Sequence, residues 1–241
     1  MTTADASTPI VLIPGLVCTA DLFSPQIPAL WMHGPVTVAS TLNASTPGDD
    51  SIAGLAAAIL GDAPPRFALA GLSMGGYIAL EILRQAPERV TRLALLDTTA
   101  RPDAPEQTGL RRGLIDQAMG GAYGKVLAQT MPNLVHPSRR GDRDLIDRLI
   151  GMGRDLGPEV FARQQTAIMG RIDSRPHLSA INVPTLCLVG DRDALTPPDR
   201  AEEMAAAIPH ARLVVIPGAG HVSTLEQPEA VNAALTEWLR A

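Results

Sequence analysis

Short apolar runs rich in Ile, Val and Leu, each closed by Gly, Pro or Asp, recur along the chain at residues 10–13, 36–40, 67–70, 93–96, 185–189 and 213–216. Polar interruptions are too few to give any run one wet face. The runs therefore predict strands buried on both sides, as in a parallel sheet layered between helices. Between them the apolar positions fall at helical spacing. Residues 51–60 open on Ser51, a favoured N-cap, and 74–85 are apolar nearly all round. Residues 197–208 and 228–240 open on Pro, which suits a first helical turn. This alternation predicts an α/β fold, a mostly parallel open sheet of about six strands with helices on both faces.

The alternation stops between Arg101 and Pro184. Here helical periodicity mixes with several Gly and Pro and with charged runs such as 139–144. Leu145, Ile146, Leu149, Ile150 and Met152 nevertheless supply an apolar face. The stretch reads as an inserted helical cap, which divides the chain into a core of 1–100 with 185–241 and a cap of 101–184. Within the cap, Met119, Met131, Met152 and Met169 read as core filler. The pairs Arg111-Arg112 and Arg139-Arg140 read as solvated helix faces.

Composition narrows the function classes. With 241 residues, 46% hydrophobic and 19% charged, the chain can build one large core and is not a disordered tract. A net charge of −5 offers no pull toward phosphate, and aromatics at 3% supply few stacking surfaces, so nucleic acid is not an expected partner. Cys18 and Cys187 are too few for a disulfide framework or a thiolate zinc site, which points to a reducing, cytosolic compartment. His33, His136, His177 and His210 lack metal-ligand spacing, so neither metal nor organic cofactor is expected. Lys125 is the only lysine in an arginine- and alanine-rich chain, a bias that suggests a bacterial genome. Residues 1–9 are polar without a basic residue, unlike a signal peptide, and no apolar run is long enough for a membrane span.

The chemistry gathers at three loops. Gly71-Leu72-Ser73-Met74-Gly75 follows a predicted strand and precedes a predicted helix, the setting of a nucleophile elbow. A pentapeptide of this kind arises by chance, and Ser73 alone would pass as a helix N-cap. Its company decides the matter. A serine hydroxyl needs a base, and a histidine held by a carboxylate is the usual one. Asp193 follows the strand at 185–189 and His221 the strand at 213–216, so all three groups lie past strand C-terminal ends, where open α/β sheets build their sites. Asp97 also ends a strand and rivals Asp193 as the acid. Asp191 reads as a loop carboxylate paired with an arginine.

These motifs together resemble the α/β-hydrolase superfamily over nearly the whole chain. Residues 12–16 (Leu-Ile-Pro-Gly-Leu) are similar to the family's oxyanion loop, with Pro14 where many members carry His. Residues 70–76 are similar to the elbow, 190–197 to the acid loop, and Gly220-His221 to the histidine loop. The resemblance implies Ser73 as nucleophile, His221 as base and then acid, Asp193 as its orienter, and the backbone N–H groups of Leu16 and Met74 as an oxyanion hole. It implies a cofactor-independent serine hydrolase that cleaves a carboxylic ester or lactone through an acyl-enzyme. The same set in this superfamily also serves thioester, amide and carbon–carbon cleavage, and the fold alone also fits a non-catalytic small-molecule receptor. The expected partner is a small acyl substrate. Leu16, Val17, Cys18 and Met74 predict an apolar mouth that prefers short or medium apolar acyl groups. A charged acyl tail would need an arginine such as Arg111 or Arg139 turned inward.

Overall fold

A computed structural model describes residues 8–42 and 50–241. Most of the polar lead at residues 1–9 thus lies outside the described residues. The elements run β1 (Ile10–Ile13), α1 (Gln26–Trp31), β2 (Val36–Val38), α2 (Ile52–Asp62), β3 (Phe67–Leu72), α3 (Met74–Gln85) and β4 (Val90–Leu96). The inserted helices α4 (Pro105–Gln117), α5 (Tyr123–Thr130) and α6 (Arg143–Met169) follow. The core resumes with β5 (Thr185–Gly190), α7 (Pro198–Ala207), β6 (Arg212–Ile216), α8 (Ser223–Glu226) and α9 (Pro228–Arg240).

The six strands form one sheet in the order β2-β1-β3-β4-β5-β6, and every pairing is parallel. Side chains alternate across a strand, so each central strand feeds two cores. Leu12, Ala70, Leu96 and Leu188 pack with Phe23, with Leu30 of α1 and with Val231 and Trp238 of α9. Ile13, Leu69, Leu95 and Val189 pack on the other face with Leu55 of α2, Ile78 of α3 and Met204 of α7. Burial on both faces holds for the central strands but not for the edge. Leu213 and Val215 of β6 are exposed, because that strand has a neighbour on one side only. Helix α2 starts where Ser51 accepts a hydrogen bond from the Gly54 N–H, as its N-cap role predicts.

Between β4 and β5 the insertion lies over the carboxyl edge of the sheet and joins the first of the two cores through Val126, Leu149, Met152 and Phe161. Helix α6 bends at Gly157, whose φ of 82° no helix accommodates, just before Pro158, which has no N–H to give. Arg148 of α6 ties the insertion to the core through the Asp21 carboxylate, 2.6 Å away. Met131 and Met152 are buried filler as expected. Met119 is not: it is 54% exposed, in a π-turn after α4. A cavity of about 730 Å³ remains between insertion and sheet, reaching Ser73 and His221. No helix among the described residues is long and apolar enough to cross a membrane.

Candidate active site

Ser73 alone separates β3 from α3, and that abrupt reversal sets its backbone at φ 54°, ψ −115°, a conformation strained for any residue with a side chain. The turn closes because its neighbours lack one. A Cβ on Gly71 would meet the Gly75 carbonyl, and one on Gly75 would meet the Ile13 carbonyl. Two bonds hold the strained residue in place. Its N–H donates to the Leu96 carbonyl at 3.0 Å, and its own carbonyl accepts from the Thr98 hydroxyl at 2.7 Å.

Ser73 Oγ lies 2.8 Å from His221 Nε2, and His221 Nδ1 lies 2.8 Å from Asp193 Oδ2. The Asp193 carboxylate is fully engaged: Oδ1 accepts from the N–H groups of Leu195 and Thr196, and Oδ2 from the Thr196 hydroxyl at 2.7 Å. Burial pushes its carboxyl up, yet the His221 charge and these hydrogen bonds outweigh burial and hold it below the ordinary carboxylate value. Burial works against the charged form of His221 as well. The Asp193 charge and hydrogen bond prevail and leave the imidazole more basic than usual. A hydroxyl facing such an imidazole is arranged to lose its proton to it.

Asp97 takes a different place. Fully buried at φ 44°, its Oδ1 accepts from the Gly190 N–H at 2.9 Å. Its Oδ2 accepts from the N–H and the hydroxyl of Ser223, at 3.1 and 2.6 Å. It joins the acid and histidine loops from beneath and bonds neither nitrogen of His221. Burial, with the Asp193 charge beside it, pushes its carboxyl up to about 7. Asp191 corrects an expectation: its carboxylate accepts from the backbone of Gly218 and Ala219, with no arginine partner among the described residues. Backbone donors of the next loop are nearer than any guanidinium.

Sequence reading missed Thr196 and Glu226. Asp193 closes an Asx turn with the Leu195 N–H two residues on, which brings the Thr196 N–H to the same oxygen. Glu226 left no such trace, because its Oε2 and Oε1 accept from the backbone of Gly220 and His136, each at a loop it reaches only in three dimensions.

Met74 is the first residue of α3, so its N–H has no partner within the helix, and the Leu16 N–H has no acceptor among the described residues. Leu16 and Cys18 line the cavity. Met74, buried in the second core, does not line it, and neither does Val17, both contrary to expectation. The positive φ of 45° at Val17 turns the chain so that the side chain is 1% exposed in the core, while its N–H donates to Gln164 Oε1 at 2.8 Å. Burial pushes the Cys18 thiol up to about 12, far from a usable thiolate. The cavity wall is also less apolar than the sequence suggested. Tyr77, Asp103, Arg111, Gln165 and Arg171 line it beside Leu72, Leu114 and Phe161. Arg111 is thus no solvated-face residue: Asp103 draws it inward at 2.6 Å. Arg139 stays out of the wall, bound to Asp142 and to the Glu226 carbonyl. Among the described residues no group of three or more His, Cys, Asp or Glu could hold a metal.

A parallel sheet with helical insertion and a strand–serine–helix turn facing histidine and aspartate define a class of fold, and the chain belongs to the alpha/beta hydrolase family, which its residues 10–234 match. Among relatives, it is 28% identical to a pimeloyl-[acyl-carrier protein] methyl ester esterase of Neisseria meningitidis serogroup B (strain H44/76), over 98% of this chain and 94% of that one. Among solved structures, a thermophilic esterase from Thermogutta terrifontis, with malate bound, is 32% identical with a TM-score of 0.85, covering 97% of this chain and 89% of that one. The enol-lactonase from Burkholderia xenovorans LB400 is 26% identical with a TM-score of 0.88, over 98% and 92%.

Proposed function

We propose that the protein is a serine hydrolase that cleaves carboxylic esters or lactones, with Ser73 as nucleophile. The observation that carries this reading is the unbroken line Ser73 Oγ, His221, Asp193, with 2.8 Å at each joint, at the floor of a cavity large enough for a small molecule. The relatives named as esterases and an enol-lactonase favour the same reaction class.

In the reaction His221 Nε2 takes the Ser73 proton as Oγ attacks the carbonyl carbon. Asp193 holds the ring with Nδ1–H toward itself and stabilises the imidazolium that forms. The oxyanion is received by the N–H groups of Leu16 and Met74, the latter assisted by the positive end of α3. Protonated His221 then gives its proton to the departing alkoxide, leaving Ser73 acylated. A water, deprotonated by the same imidazole, hydrolyses that ester and restores the hydroxyl. For a lactone the leaving oxygen stays tethered to the acyl group. The residues supply nucleophile, base and oxyanion donors themselves, so no step is routed through a cofactor. The insertion acts as a cap that shapes the acyl and alcohol pockets, with Leu16 and Cys18 as apolar wall. A reducing, cytosolic bacterial setting agrees with the two unpaired cysteines.

A panel of acyl esters, thioesters and lactones tests the assignment. Esters and lactones are expected to be turned over by wild-type protein, and Ser73→Ala is expected to lose several orders of magnitude at little change in thermal stability. Thioester turnover exceeding that of every ester would move the substrate class. Ser73→Ala activity within about a tenth of wild type would remove Ser73 from the mechanism.

A further inference from the structure

Three charged side chains from separate segments meet in the cavity wall: Asp103 after β4, Arg111 of α4 and Arg171 after α6. Arg111 Nε lies 2.6 Å from Asp103 Oδ2, and Arg171 Nη1 lies 2.7 Å from Asp103 Oδ1. Two guanidinium groups thus share one carboxylate. The side chains of Asp103 and Arg171 are only 1% and 6% exposed, and that of Arg111 is 22% exposed. Burial alone would push the Asp103 carboxyl up. Its bonds to Arg111 and the charges of both arginines hold it below its ordinary value, so it stays ionised and cancels one of the two positive charges, not both. The other arginines of the wall have carboxylates of their own: Arg101 pairs with Glu203, Arg175 with Asp173 and Arg200 with Asp199. The surplus positive charge rests at the buried cluster.

Buried charge without full compensation is costly, and stability alone does not call for it. The cluster is also built with care. Arg171 donates Nε to the Arg101 carbonyl and Nη1 to the Ile168 carbonyl, and its guanidinium lies 4.3 Å from the centre of the Tyr77 ring. Gln165 accepts from Arg111 Nη1 at 2.7 Å. Arg171 Nη2 has no acceptor among the described residues. Tyr77 lies in the first turn of α3, four positions after Ser73 in the chain, and lines the same cavity. The cluster and Ser73 therefore line the same cavity, and the Tyr77 ring beside Arg171 belongs to the helix that starts at the nucleophile.

We propose that Arg111 and Arg171 form an anion subsite of this cavity that binds a carboxylate on the substrate, so that the esters or lactones turned over best carry a second, ionised carboxyl group. The planar fork of a guanidinium matches a carboxylate, and a single negative charge cancels the cluster's surplus of one. A phosphate dianion would overshoot it. The proposal rests on the ester hydrolase reading of the same cavity, and its test keeps the two apart.

Wild-type kcat/KM is measured on monomethyl glutarate and monomethyl adipate against their dimethyl esters, which places the charge on the acyl side. Acetoxyacetate against methyl acetoxyacetate places it on the alcohol side. In one arm the carboxylate ester is expected to lead by about tenfold or more, mainly through KM, the size of a charge-assisted hydrogen bond. In Arg171→Met and Arg111→Met that ratio should fall toward one, and Arg171→Lys should keep part of it. Should Arg171→Met fail to fold, Arg111→Met, which leaves Asp103 paired with Arg171, carries the test. Calorimetric titration of monomethyl adipate and of acetoxyacetate, each in turn, into Ser73→Ala protein reads binding without turnover. Binding there that disappears when Arg171→Met is added supports the subsite even if no ester is hydrolysed. Ester turnover with no preference for carboxylate in either arm overturns the subsite and leaves the hydrolase standing. Inorganic phosphate displacing the bound ester more strongly than acetate does would overturn the choice of a carboxylate.

Discussion

At the scale of single residues, the proton affinity of His221 controls the proposed reaction. Burial lowers it, while the charge and hydrogen bond of Asp193 raise it to a net value above the ordinary 6.5. Only the neutral ring can accept the Ser73 proton, so kcat/KM is expected to rise with pH, with its acid midpoint above 6.5. Asp193→Asn, by removing the raising charge, should move the midpoint of any residual activity downward. A wild-type midpoint below 6.5 would show that burial outweighs the charge and hydrogen bond of Asp193. The two aspartates are separable by rate. Asp193→Asn keeps the shape but favours the wrong tautomer, at an expected cost of about 10⁴ in kcat. Asp97 acts through Gly190 and Ser223, so Asp97→Asn should cost roughly 10- to 100-fold. The reverse ranking in folded variants would give the histidine's partner role to Asp97. Sequence placed both aspartates at the same sheet edge and favoured Asp193, while the 2.8 Å contact of Asp193 with His221 depends on the direction of a loop and is visible only in the fold. The Thr196 hydroxyl and the Asp191 contacts were hidden for the same reason.

At the scale of elements, the elbow is a steric device and is testable as one. Gly71→Ala would drive a methyl group into the Gly75 backbone, which cannot yield without unwinding α3. It should cost about 1–3 kcal/mol in denaturant unfolding and most of the activity. Gly61→Ala is the control, because nothing lies within 4 Å of its added methyl in α2; it should be neutral or stabilise by up to about 1 kcal/mol. Equal unfolding costs for the two variants would contradict the steric account. Elements of this kind were the most legible part of the sequence. Helices α3 and α9 fall where the periodicity puts them, since capping residues, prolines and apolar spacing are local signals. Strand ends moved by one to three residues, as for β3, which runs on through Gly71 and Leu72 to the serine. Continuous apolarity does not mark where pairing stops. The inward turn of Arg111 was out of reach because its cause, Asp103, lies eight residues away across a helix start.

At the scale of the whole molecule, the parallel order β2-β1-β3-β4-β5-β6 brings the ends of β3, β5 and β6 to one edge, and the insertion roofs that edge to enclose a cavity. The strand-and-helix alternation announced the sheet. The wall of the cavity is set by how α4 and α6 lie on the core, which no single segment encodes, so its charge was legible only after folding. The central proposal at this scale is that one hydroxyl, Ser73, is nucleophilic and depends on His221. Reaction with a fluorophosphonate followed by peptide mass analysis measures this. A single adduct on Ser73 is expected in wild-type protein, none in Ser73→Ala, and formation slowed by orders of magnitude in His221→Ala. Folded wild-type protein that gains no adduct, or gains it on another residue, would contradict the account and favour a receptor that keeps the pocket without the chemistry.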